Sequence, residues 1–205
     1  MQLAASGVLG SQISKVALSA IAEPPRSLAN LTSDLKRQGI SVILPGDPGY
    51  DIARSVWDRR VDKKPAAILG CASVAHIQEA LRFCAKERLP IAIRGGGHGF
   101  SGHSTIDGGL LIDLAAMYEV KLDVPNRTVT VGPGVRTGYL LGITTSKDLA
   151  PVTTTDNHIG AALFAGQGYL SPLYGNMCDN VSRLEVVLAD GRLITVSAEE
   201  HPDLF

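Results

Sequence analysis

The sequence predicts an α+β fold, with a parallel βαβ part first, an antiparallel hairpin part later, and an incomplete C-terminal end. Two observations point there. An apolar run, an amphipathic helical pattern and a second apolar run follow one another between residues 66 and 94, a βαβ unit whose two strands form a parallel pair. Two later stretches alternate apolar with polar residues around turn dipeptides, which reads as antiparallel hairpins. Parallel pairing first and hairpins afterwards argue against a doubly wound sheet.

The elements follow in order. SLANLTSDLKRQGI carries Leu28, Leu31 and Leu35 at helical spacing and Gly39 as its stop. PGDPGY (45–50) is a turn by composition, and a short helix is expected over Ile52 to Trp57. AAILGC (66–71) reads as a buried strand. Ser73 then caps a helix whose Val74, Ile77, Leu81 and Cys84 share one face. Leu89-Pro90 ends it, and PIAIR (90–94) is the next strand, followed by GGLLIDL (108–114). YEVKLD and RTVTVG form a hairpin across Pro125-Asn126, and a helical patch covers Gly138 to Thr145. SRLEVVLADGRLITVS is a second hairpin turning at Asp190-Gly191. Ser197 and Glu200 fit a capping box, so a helix should open there. The chain stops at Leu204-Phe205, so it is expected to be cut inside an element. Residues 1–62 are read as an N-terminal arm with lead-in helices and 63–205 as the main domain.

Composition narrows the function. The chain has 205 residues, enough to bury a sizeable core, and its 45% apolar and 19% charged residues exclude a disordered chain. A net charge of -1 leaves no basic excess for nucleic acid. No apolar run is long enough to span a membrane. The start has no basic residue before Lys15 and is broken by Ser6, Gln12 and Ser14. It reads as an amphipathic arm, not a secretory signal, and an intracellular site is expected. Three cysteines cannot build a disulfide framework.

The sharpest local feature is RGGGHGFSGHS (94–104), where Gly95, Gly96 and Gly97 follow a strand. Glycine lets consecutive N–H groups turn toward an anion, and such a nest suits a diphosphate; a plain tight turn is the alternative. Gly97, Gly99 and Gly102 also spell G-x-G-x-x-G, but that fingerprint needs a helix next, and HSTIDGG has no helical period. A Walker loop fails for want of G-K-[ST]. His98 sits inside the loop, either as an ordinary loop histidine or, beside a diphosphate nest, well placed to attack an electrophilic cofactor methyl. His98 and His103 lack the companions of a metal site. Cys178, in the polar turn GNMCDN, is the one cysteine placed for reactivity, a loop thiol without a role being the bland reading; Cys71 and Cys84 lie on apolar faces.

From about PGDPGYDIARSVW to HPDLF, roughly three quarters of the chain, the sequence resembles the p-cresol methylhydroxylase-type FAD-binding domain. It is most similar to the berberine bridge enzyme-like flavin oxidoreductases. KPAAILGCASVAHIQEAL, PIAIRGGGHGFSGHS, RTVTVGPG, YLSPLYGNMCDN and LEVVLADGRLITVS carry the resemblance by their order and spacing. It implies that the backbone of Arg94, Gly95, Gly96, Gly97, His98 and Gly99 cradles the FAD diphosphate. It also implies that His98 bonds the flavin 8α-methyl carbon, that Cys178 bonds flavin C6, and that Gly132, Gly134 and Gly160 line the cofactor. The implied activity is hydride transfer from a small organic substrate to covalent FAD, with O₂ as final acceptor, in secondary metabolism. The alternative is a non-catalytic FAD-binding remnant, or a module needing a partner chain. The resemblance names no catalytic base here, because in relatives the base is expected from a W-A-L-R-G-G-G-G-N-F-G-type segment and a substrate domain that lie beyond the matching stretch. Two departures stand out. Phe164, Ala165 and Gly166 replace three glycines, and bulk there is expected to crowd the flavin; TTTDNHIG is unusual, and of the two placements open to His158, facing the cofactor or facing solvent, solvent is expected.

Overall fold

The structure, a computed structural model, describes residues 28–205. The predicted arm at residues 1–27, and the side chains of Leu28 and Leu31, lie outside the described residues. Helix α1 (Leu28–Arg37) ends at Gly39, whose φ of 81° is the left-handed stop the sequence signals. Strand β1 (Ser41–Ile43) follows, then a one-turn helix α2 (Tyr50–Ala53). The central unit is β2 (Ala67–Gly70), α3 (Val74–Glu87), β3 (Ile91–Arg94) and β4 (Leu110–Asp113). Ser73 caps α3 by accepting from the His76 N–H at 3.2 Å.

These strands form one mixed sheet in the order β1-β2-β4-β3. The expected parallel pair of β2 and β3 is corrected: both run parallel to β4, which lies between them. The reason is burial. LLI in β4 is fully apolar and completely buried, so this strand takes the centre, covered on both faces. Leu110 and Ile112 face α1 and α3 with Leu35, Leu69 and Leu81; Leu111 faces the other way with Ile68 and Tyr50. Strand β1 was not expected. SVI is too short to show a period, and it forms because β2 offers an edge, to which it pairs antiparallel.

Both hairpins form as predicted: β5 (Val120–Asp123) with β6 (Thr128–Val131), and β7 (Leu184–Val187) with β8 (Leu193–Val196). Between them lie α4 (Thr137–Thr145) and α5 (Ser171–Tyr174), with 3₁₀ turns at Ile159–Leu163 and Cys178–Asn180. A second, smaller core of Val135, Leu140, Ile159 and Met177 packs under β5 and β6. The β7–β8 turn is tied to α3 by Gln78, whose amide donates to the Gly191 carbonyl at 2.7 Å.

Two further expectations are corrected. The helix expected over Ile52 to Trp57 ends at Ala53, because the next residues are drawn into other bonds. The Ser55 carbonyl accepts from Arg94, and the Trp57 N–H donates to the Gly97 carbonyl at 3.0 Å. Only the serine half of the Ser197 capping box forms: Ser197 Oγ accepts from the N–H groups of Glu199 and Glu200, but the Ser197 N–H donates to the Glu200 backbone carbonyl at 2.7 Å, which closes a turn, and no helix opens among the described residues.

Ala165 carries a measurable cost. Its φ of 102° lies where a Cβ is crowded, and its carbonyl accepts from the Cys178 N–H at 3.0 Å, so the turn cannot relax freely. Ala165→Gly is expected to raise stability by about 1 kcal/mol, read from the denaturant midpoint. A lower midpoint would mean that Ala165 is unstrained there.

Candidate flavin-binding site

The parallel strands β3 and β4 bring their carboxyl ends to one edge, the usual place for a ligand in such a sheet. The register sets Arg94 opposite Asp113. Their side chains form an ion pair, and Arg94 also donates to the Ser55 carbonyl at 3.2 Å. The Arg94 guanidinium is therefore engaged within the protein, and its contribution to the edge is to fix the geometry.

The glycine loop leaves β3 at this point. Gly97 has a φ of 73° and Gly102 of 68°, so the chain doubles back as only glycine does easily. Lys63 holds the far side of the loop, donating from Nζ to the carbonyls of Gly102 and Thr105 at 2.9 and 3.4 Å. The N–H groups of Gly95, Gly96, Gly97, His98 and Gly99 donate to no other described residue. Gly97 is buried and Gly95 and His98 are half-buried, where backbone donors are ordinarily paired, while Gly96 and Gly99 are exposed; together the free donors form a surface suited to an anionic oxygen group. Close behind, the Oγ of Ser104 and the Oγ1 of Thr105 are buried without partners.

A cavity of about 340 Å³ opens against this loop. Its walls are Ile52, Ala53 and Ser55, Arg94 to Gly96, Asp113 at the end of β4 with Ala115 just beyond it, Pro133 to Arg136, and His158 with Ile159. A Cβ on Gly95 would meet the Pro133 carbonyl oxygen at 3.0 Å, so the loop and the 133–136 segment come together only because that residue is glycine.

His98 lies beside the cavity in a cluster of rings. Its imidazole is centred 5.5 Å from Trp57 and 3.4 Å from His158. The expectation that His158 faces solvent is thus corrected. Ile159 is drawn into the small core, and this turns His158 inward over the loop. Burial pushes the His158 pKa down, His98 and Arg136 push the same way, and Asp156 opposes them, so His158 stands uncharged at neutral pH.

The remaining expected site residues divide. Gly134 lines the cavity; Gly132 does not, and both lie hard against the backbone of residues 114–119. Gly160 has open space around it and is not a cavity wall. Cys178 is half-buried on the 3₁₀ turn and also outside the wall. Its thiol donates to Asp179 at 3.5 Å, and burial and that carboxylate push its pKa up, away from the thiolate. Burial pushes Cys71 up to about 12 and Cys84 up to about 11, as expected of inert core thiols. Phe164 turns its ring to solvent and, like Ala165, is no part of the cavity wall, so the expected crowding is not seen there. Among the described residues no cluster suits a metal ion, and no helix is long and apolar enough to cross a membrane.

The sequence does not reveal Trp57 and Asp113 as parts of the site, and it leaves His158 on the solvent side. Asp113 was legible in principle, as the one acid ending an apolar strand. The ring contacts of Trp57 and His158 come from segments about 100 residues apart, and no local pattern reports that.

Residues 65–197 match the family model described as the FAD binding domain. The chain is 34% identical over 180 residues to (R)-6-hydroxynicotine oxidase of Paenarthrobacter nicotinovorans, covering 86% of this chain and 39% of that protein. Its structure is similar to that of BBE-like 1 of Physcomitrella patens, with a TM-score of 0.79 at 28% identity, covering 85% of this chain and 39% of the other. It is also similar to glucooligosaccharide oxidase of Acremonium strictum, with a TM-score of 0.78 at 28% identity, covering 85% and 38%. That oxidase carries a 6-S-cysteinyl, 8α-N1-histidyl FAD. The chain spans about two fifths of the length of these relatives.

Proposed function

The chain belongs to the FAD-binding domain family, and on that premise we propose that it is the flavin-holding part of an oxidoreductase. The reaction is hydride transfer from a small organic substrate to FAD, with O₂ as final acceptor. The observation that carries the reading is the run of free N–H donors from Gly95 to Gly99 at the carboxyl end of β3, with His98 inside it. This backbone fits a diphosphate, which needs several donors and close approach, and the adjoining cavity fits part of a dinucleotide. FAD, when bound, supplies the two-electron acceptor; the chain's residues hold and orient it.

The roles follow. The backbone of Arg94 to Gly99 binds the diphosphate, and the Arg94–Asp113 pair keeps that backbone in place. His98 is the tether to the flavin methyl carbon. Gly134 lets the 133–136 wall approach, and Gly132 and Gly160 serve the segments on either side. A second link at Cys178 has the two-link FAD of glucooligosaccharide oxidase in its favour; its raised thiol pKa and its place outside the cavity wall stand against it. A place in small-molecule biosynthesis rests on the family resemblance. A second reading, a cofactor-binding module that works only with a partner chain, is favoured by Phe164 and Tyr169, which are 84% and 93% exposed, with Leu173 and Tyr174 exposed beside them.

Intact mass and the visible spectrum of the 205-residue chain test the assignment. After acid denaturation the chain should retain the mass and absorbance of one FAD, and His98→Ala should release all of it. Retention by His98→Ala with loss in Cys178→Ala would reassign the tether. A colourless chain that takes up no added FAD would defeat the reading.

A further inference from the structure

We propose that His158 is a positioning residue for His98: its ring lies on the His98 imidazole and fixes the direction in which His98 meets the flavin. The proposal rests on the assignment of His98 as the tether. A tether must be presented in one orientation, because a ring free to turn about its last side-chain torsion seldom points its nitrogen at the carbon it attacks. In this structure His98 is flanked by two rings. His158 is the nearer, at 3.4 Å between centroids and 34° between planes; Trp57 is at 5.5 Å and 33°.

His158 is itself held on both sides along the chain. Asn157 accepts a hydrogen bond from the Gly138 N–H, in the first turn of α4, at 2.9 Å. Ile159 is 8% exposed and packed with Val135, Leu140 and Met177. Beneath the ring lies Gly96, where a Cβ would stand 2.1 Å from His158 Cδ2, so the imidazole rests directly on the glycine-loop backbone. Its Nδ1 is buried with no partner among the described residues and is left to meet a bound group. The groups acting on the ring are His98, Arg136 and Asp156, and the Arg94–Asp113 pair stands on another wall of the cavity. Burial, His98 and Arg136 all push the His158 pKa down, which favours the uncharged ring lying on His98.

The test compares the full chain with His158→Ala, His158→Phe and His98→Ala. Two quantities are read: the rate at which bound FAD becomes acid-stable, as a fraction of flavin bound, and the ring-current shift of the His98 ring protons in the flavin-free protein. His158→Ala should lose the shift and slow attachment by about tenfold or more. His158→Phe keeps an uncharged ring and should restore most of both; it also carries the test if the alanine variant disturbs the loop. Attachment at the parent rate in His158→Ala would overturn the proposal and leave His98 as the tether. A restored shift with slow attachment in His158→Phe would overturn it too, since the imidazole would then act chemically and not by position. A parent chain that never forms acid-stable flavin would overturn the tether assignment, and this proposal with it.

Discussion

Replacing Arg94 with methionine should cost about 3–5 kcal/mol of stability, the usual penalty for removing one partner of a buried ion pair. Its side chain is 8% exposed and that of Asp113 18%, so the carboxylate left behind would be largely cut off from water. Asp113 would keep one bond, from the Ala115 N–H at 2.9 Å, which does not neutralise it. The Ser55 carbonyl would also lose its donor, and with it the tie between the residues after α2 and the end of β3. In a chain of this size that loss should lower Tm by about 10 °C. The double variant Arg94→Met with Asp113→Asn should recover more than half of it, because no unpaired charge remains. Urea denaturation of the four chains of this cycle, without flavin, gives the coupling directly. An Arg94→Met chain within about 0.5 kcal/mol of its parent would show that the pair does not hold the sheet edge.

This pair also marks how far the sequence could be read. Elements whose cause is local were legible. Ser73 with the Ile77, Leu81 and Cys84 stripe makes α3, and Asp190-Gly191 makes the second hairpin turn. What failed was set by partners distant in sequence. Nothing within PIAIR tells that GGLLIDL will slide between it and AAILGC, because the order of parallel strands is decided by which strand most needs two covered faces. The helix at Ile52 to Trp57 was cut short by bonds to residues about 40 positions away. The site divides in the same way. Its glycine loop and His98 are contiguous and could be read, whereas the rings placed on His98 come from segments about 100 residues apart. Cys178 illustrates a subtler limit. A polar turn reports nothing of the surroundings that move a thiol's pKa, and here burial and the Asp179 carboxylate both push it up.

Gly134→Ala should be strongly damaging, and it should do its damage without any flavin. A Cβ there would lie 2.5 Å from the Ala115 carbonyl oxygen and 2.6 Å from that of Leu114. Both are backbone atoms at the end of β4, where Leu114 N–H is already bonded to the Arg94 carbonyl at 2.8 Å. They cannot swing aside as a side chain would, so the 133–136 wall must move away from the sheet edge. A shift of that kind costs about 3 kcal/mol. Gly132, whose Cβ would stand 2.2 Å from the Met117 carbonyl oxygen, should behave alike. Gly160 is the control: it has nothing within 4 Å, and its alanine variant should stay within about 0.5 kcal/mol of the parent. Denaturant midpoints of the flavin-free chains separate the two causes that a glycine near a cofactor can have. Loss of stability at 132 and 134 with none at 160 assigns the first two to close approach of backbone. Three silent substitutions that all weaken flavin uptake would assign them to the cofactor instead. The first pattern follows from the geometry, in which these glycines bring two chain segments together and the cavity is the space left between them.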